Sequence, residues 1–185
     1  FFLAGFFFCA LGYMTVIYLA TLFGEKEMGM SSSELMITVL IIQFVAIGGS
    51  YLFAAISGRI GNIPAIMISA SIWALVCSST FFVTNKIGFY VVDFFVGTVM
   101  GGIQALARST YAKLLPETED HASYFSFYEL TEKVATATGT FSYGLIINLT
   151  HTMRNASLFL GVMFIVGVGF LFLAHRSLRI TPQKN

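Results

Sequence analysis

Long apolar runs separated by short polar breaks divide this chain into six segments, at about 1–23, 33–57, 63–84, 87–107, 123–148 and 156–174. A helix needs about 20 residues to cross a hydrocarbon layer of about 30 Å. Each run is therefore read as one membrane-crossing helix, and the predicted fold is an all-α polytopic bundle over residues 1–175 followed by a polar tail at 176–185. The breaks are Glu25-Lys26-Glu27 through Ser33, Ser57 through Asn62, Asn85-Lys86, the long polar stretch from Arg108 to Ala122, and His151 through Asn155. Pro64 stands at the start of the third segment, where its missing N–H costs nothing, while Pro116 falls in the long break and Pro182 in the tail. With no proline inside a segment, bends are expected at glycine, as at Gly48-Gly49 and at Gly97, Gly101 and Gly102. Gly97 and Gly101 are also spaced as a small-xxx-small pair, which lets a neighbouring helix approach closely.

Composition agrees with the pattern. The 185 residues are 57% hydrophobic, 16% aromatic and 10% charged, with a mean hydropathy of +0.83, far from the roughly one quarter charged residues of a soluble domain. Disorder, a coiled coil and a disulfide scaffold are excluded, since the apolar content is too high, charged repeats are absent, and Cys9 and Cys77 both sit in apolar runs. A net charge of +1 without a basic cluster argues against nucleic acid as a partner. The distribution of Lys and Arg sets orientation. The side on which the first span begins collects Arg59, Arg108, Lys113, Arg176, Arg179 and Lys184, against Lys26, Lys86 and Arg154 on the other. The first side, with the C-terminus, is thus expected in the cytoplasm. The chain opens at Phe1 inside a span, without an initiator Met or a charged leader, and is expected to be the C-terminal part of something longer.

A charged side chain at the bilayer centre costs about 2.5–3.5 kcal/mol on insertion scales, so ionisable groups within spans demand a partner or an aqueous cavity. Asp93 lies in the fourth span, and Glu129, Glu132 and Lys133 lie in the first third of the fifth. At 100° per residue, Ser126, Glu129, Lys133, Thr136, Thr140 and Tyr143 share one stripe of the fifth helix, with Glu132 at its edge. Glu129 and Lys133 stand in the favourable order for an i,i+4 ion pair. The pair either anchors the helix near the headgroups or, because polarity continues through Thr136 and Thr140, belongs to the wall of an aqueous cavity. In the fourth span Asp93, Gly97, Met100, Gln104 and Arg108 share a face. Asp93 is near the outer end, where a solvated or capping role competes with ion coupling.

Other chemistry finds no footing. His121, His151 and His175 fall in breaks or the tail without metal-ligand spacing, so no metal site is expected. No nucleophile elbow, His-Glu-x-x-His pair or phosphate loop is present, so the chain is read as neither an enzyme nor a nucleotide-driven pump, and no cofactor is expected.

The segment Ala54-Ala55-Ile56-Ser57-Gly58-Arg59-Ile60-Gly61-Asn62 resembles the loop signature of major facilitator transporters, Gly-x-x-x-Asp-Arg-x-Gly-Arg, keeping Arg59 and Gly61 with Gly58 in the acidic position. Gly101-Gly102-Ile103-Gln104-Ala105-Leu106-Ala107-Arg108-Ser109, then Lys113-Leu114-Leu115-Pro116, Phe125-Ser126-Phe127-Tyr128 and Glu132-Lys133, is similar to the C-terminal half of the bacterial major facilitator family related to autophagy-linked vacuolar amino-acid effluxers. Members of that family tend to carry a polar residue before the glycine that is here Gly12, where this chain reads Cys9-Ala10-Leu11-Gly12. The resemblance implies spans seven to twelve of a twelve-helix secondary transporter, built as two inverted three-helix repeats, with a small solute held against a missing N-terminal six-helix half. The solute would be an amino acid or related metabolite, and the membrane the inner one if the source is bacterial. On this reading Glu129, Lys133, Glu132 and Asp93 couple or gate, Gln104, Thr136 and Thr140 line the cavity, and Arg59, Gly61 and Arg108 make cytoplasmic loop contacts. The competing reading is a six-helix channel or receptor-like scaffold complete as it stands, although neither short outer break offers a filter or a ring of like charges.

Overall fold

The computed structural model describes residues 1–115 and 121–180; the side chains of His121, Arg179 and Ile180, and the expected features Pro116, Pro182 and Lys184, lie outside the described residues. Six helices follow one another: α1 (Phe2–Met28), α2 (Ser32–Ile60), α3 (Asn62–Thr80), α4 (Lys86–Leu114), α5 (His121–Thr150) and α6 (Met153–Ile180). No strand occurs among the described residues. All of these helices except α5 are long and apolar enough to cross a membrane. The charges and threonines of its wet face lower the mean hydropathy of α5.

The joints are set by local chemistry. Gly29 closes α1 in the left-handed region (φ 59°), and the Met30 N–H returns to the Gly24 carbonyl at 3.1 Å. Ser31 and Glu34 form a reciprocal capping box at the start of α2. Asn85 caps α4 through the Gly88 N–H at 2.7 Å. Gly61, at φ 91°, makes the sharp turn from α2 into α3, a backbone that a side chain would strain.

Several helices overrun the limits expected from hydropathy. α4 continues to Leu114 and α5 begins at His121, so most of the expected 108–122 break is helical, and α6 runs to Ile180 through the start of the expected tail. Hydropathy marks where oil ends, whereas a helix that bonds its own backbone continues into water at no cost. The reverse holds for α3, which stops at Thr80 rather than near 84.

The packing has an internal symmetry. α1 packs on α5 and α6, and α4 packs on α2 and α3; α3 meets α6, α2 touches α3 as α5 touches α6, and α1 and α4 barely meet. Exchanging α1, α2, α3 for α4, α5, α6 leaves this pattern unchanged. Because α1 and α4 run in opposite directions, the two triplets are inverted repeats. α3 and α6 form the back, and α2 and α5 flank the front as two wings. Large apolar side chains on α2 such as Met36, Phe44 and Tyr51 are exposed.

The α2–α4 wing is drawn together by glycine. A Cβ at Gly97 would stand 2.7 Å from the Ile42 carbonyl, one at Gly101 would collide with the Ala46 carbonyl, and one at Gly49 with the Thr98 carbonyl. These glycines are points of backbone contact. At the back, Trp73 of α3 stacks on Phe164 of α6 with ring centroids 5.3 Å apart, both rings fully buried, and the Phe164 ring lies over Gly12 of α1.

Candidate functional site

α5 carries three distinct strips. Tyr128, Ala135, Gly139 and Tyr143 are buried, and Gly139 rests on the Leu11 carbonyl and the Thr15 hydroxyl of α1. To one side Phe127, Leu130, Val134, Phe141 and Leu145 are exposed and apolar. To the other side Ser126, Glu129, Lys133 and Thr140 are exposed, with Thr136 and Glu132 half-buried at the margin. One flank is oily and the other is wet. Tyr143, expected on the wet flank, instead turns inward, its hydroxyl 3.5 Å from the Met153 carbonyl.

Glu129 and Lys133 do not form the expected ion pair. Among the described residues the ion pairs are Lys86–Glu34 (2.7 Å) and Arg154–Glu27 (3.2 Å), both at the end of the bundle away from the termini. Arg154 also donates to the Phe81 carbonyl at 2.9 Å, so it gathers α1, α3 and α6. Two exposed, flexible side chains gain little from pairing, which offers no more than a few tenths of a kcal/mol at i,i+4.

At the terminal end an aromatic cluster joins α1, α4 and α5. The Arg108 guanidinium lies 5.9 Å from the centroid of the Tyr128 ring, within cation–π reach. Tyr128 stacks on Phe6 at 4.3 Å, and the Tyr111 hydroxyl donates to the Tyr124 carbonyl at 2.8 Å. Arg108 thus bridges helices rather than loops. Asn62 makes the loop contact instead: it accepts from the Ser57 hydroxyl at 2.6 Å and reaches Ser109 and Lys113 of α4 at 3.5 Å. Arg59 is exposed, and Gly61 supplies the turn that brings Asn62 into place.

Asp93 departs from its capping or solvated alternative. It is 2% exposed, and the α4 cap belongs to Asn85. It lines a cavity of about 50 Å³ among α1, α3, α4, α5 and α6. A second cavity of about 60 Å³ lies between α1, α2 and α4 and is lined by Thr21, Thr38, Gln43 and Met100 among others. Gln104, Thr136 and Thr140 line neither of these two; Gln104 and Thr136 are half-buried and Thr140 is exposed on the front of the bundle. Thr38 and Asn62 were not singled out by sequence, because their significance comes from α4 residues far along the chain. The one sequence signal for Thr38 is its isolation among apolar neighbours from Leu35 to Ile42.

Residues 1–179 match the family described as vacuole effluxers like Atg22. An uncharacterized MFS-type transporter of Bacillus subtilis, YxiO, is 31% identical over 187 residues, covering 100% of this chain and 43% of its own length. Autophagy-related protein 22 of Yarrowia lipolytica is 33% identical over 182 residues, 93% of this chain and 30% of that protein. Its counterpart in Cryptococcus neoformans is 25% identical over 186 residues, 92% of this chain and 32% of that protein. The chain therefore spans less than half the length of these relatives.

Proposed function

Starting from the fact that the chain belongs to the family of vacuole effluxers like Atg22, we propose that it is the C-terminal six-helix half of a twelve-helix secondary transporter that moves a small solute by alternating access. The observation that carries this reading is the three-strip surface of α5. Glu129 and Lys133 are exposed beside Thr136 and Thr140, while the apolar side chains of the same helix occupy the opposite flank. Facing lipid, two unpaired charges would cost about 2.5–3.5 kcal/mol each at mid-membrane. Facing an aqueous cleft against a second six-helix bundle, they cost little.

The wet flank supplies both signs of charge, with Glu129 and Glu132 next to Lys133, and Gln104 and Arg108 of α4 add donors. Such a wall suits a zwitterion, and an amino acid or related metabolite is the solute we assign. Glu129 and Lys133 act as a switchable pair: they close on each other in one state of the cleft and separate in another. Protonation of Glu129 would hold them apart and so link a proton gradient to opening, and Glu132 and Asp93 are further groups for the same coupling. The excess of Lys and Arg at the terminal end supports a cytoplasmic side for that end and the C-terminus, and in a bacterium the membrane would be the inner one.

Coupling is tested by uptake of a mixture of labelled amino acids into cells or liposomes holding the full-length protein, with and without an imposed proton gradient. Wild type is expected to respond to the gradient and Glu129→Gln to lose most of that response. Equal gradient dependence in both would remove Glu129 from the coupling.

A further inference from the structure

Asp93 and Thr38 stand where two cavities share a wall. Val16, Ala20 and Val96 line both cavities, so the partition between them is one side chain thick. Asp93 opens into the back cavity and Thr38 into the front one. The Thr38 hydroxyl faces the carboxyl from α2 but without hydrogen-bond geometry, and both Asp93 Oδ2 and Thr38 Oγ1 are buried with no hydrogen-bond partner. At about 1.5 Å per residue, Asp93 lies about 10 Å along α4 from Lys86.

The groups facing Asp93 offer no countercharge. α1 presents apolar side chains such as Phe23, α3 presents the Cys77 thiol and the Thr80 hydroxyl, α5 the Tyr143 hydroxyl, α6 the Ser157 hydroxyl, and α2 Thr38. The charged groups at the same end, Lys86 with Glu34 and Arg154 with Glu27, are occupied with each other and do not line the cavity. A bare carboxylate enclosed this way costs several kcal/mol, so burial goes with a bound cation. A hard ion such as magnesium or calcium takes six or more oxygen ligands, whereas this lining is mostly carbon, and no group of three or more His, Cys, Asp or Glu able to hold a metal occurs among the described residues. A proton demands one oxygen, and a cavity of about 50 Å³ has room for the water that would deliver it.

We propose that Asp93 and Thr38 form an interior proton-holding site, at which Asp93 takes a proton from water in the back cavity and Thr38 relays it to the front cavity. A hydronium gives its proton to Oδ2 and leaves as water. On release, Thr38 turns to hydrogen-bonding distance of Asp93, its oxygen accepts that proton and its own hydroxyl proton passes to water beyond the partition, so one proton crosses and nothing is oxidised or reduced. The site deepens the transport reading by adding a proton seat inside the bundle, distinct from Glu129 on its surface. It rests on that reading only for the use made of the proton.

Infrared spectroscopy of the full-length protein in lipid, without solute, tests it independently of transport. Wild type is expected to show the carbonyl stretch of a neutral carboxylic acid that shifts in heavy water, fades as pH is raised and ignores sodium. Asp93→Asn, a near-isosteric neutral replacement, loses that band. Thr38→Val keeps the band but slows its shift on transfer to heavy water. The proposal is overturned by a wild-type spectrum with no such band at any pH, by a band that persists in Asp93→Asn, by sodium displacing the band, or by unaltered exchange in Thr38→Val.

Discussion

Gly101→Val is expected to lower the stability of the full-length protein by about 1–3 kcal/mol or more, the range for forcing extra atoms into a packed interface. The Cβ would collide with the Ala46 carbonyl, an atom of a helical backbone. A side chain in the way could rotate, but a carbonyl moves only if α2 withdraws as a body. The same seam holds Gly97 against Ile42 and Gly49 against Thr98, so relief at one point opens the others. Gly169→Val is the control, because nothing lies within 4 Å of a Cβ placed there and the position is exposed, and its melting temperature should match wild type. Equal melting temperatures for Gly101→Val and wild type would mean that α2 and α4 are not in backbone contact. On the proposed transport reading this seam lets the wing move as a rigid unit, so the variant should lose transport along with stability.

The second large effect concerns the back of the bundle. Trp73→Ala is expected to cost about 3–5 kcal/mol, as do truncations of large buried aromatics. The indole is fully buried and stacked on Phe164, which in turn covers Gly12, so its removal leaves a void shared by α1, α3 and α6. Trp73→Phe should cost much less. It keeps the stack and also deletes the Nε1 donor, which is buried without a partner and contributes no bond to lose. Thermal unfolding of the three proteins side by side checks the ranking; a Phe variant as damaged as the Ala variant would contradict it.

Order along the chain was legible where physics is local. Runs of about 20 apolar residues announce helices because a backbone in oil must bond to itself, and the spacing of Gly97 and Gly101 announces close approach before the partner is known. What escaped depends on distant residues. Nothing near Asp93 in sequence shows that Thr38 faces it, and nothing near Asn62 shows that Ser109 and Lys113 do. Tyr143 fits the polar stripe by angle, but the space between α5 and α6 draws it inward toward Met153. Spacing places Glu129 near Lys133 without giving either a reason to stay, and both remain exposed. Helix ends were blurred for a related reason: α4 and α5 pass through the polar stretch around Arg108 and Ala122 as helix, since water tolerates a helix as readily as a loop.

The wet flank of α5 is proposed to look onto water shared with a second bundle. Membrane-impermeant thiol reagents applied to the full-length protein test it directly, and the native Cys9 and Cys77 are buried and so form a quiet background. Lys133→Cys, Thr136→Cys and Thr140→Cys are expected to react in at least one state of the transport cycle, while Val134→Cys and Phe141→Cys on the oily flank stay unmodified. If the first three stay sealed under every condition that changes the state of the protein, the flank is no cavity wall and Glu129 and Lys133 merely anchor the helix.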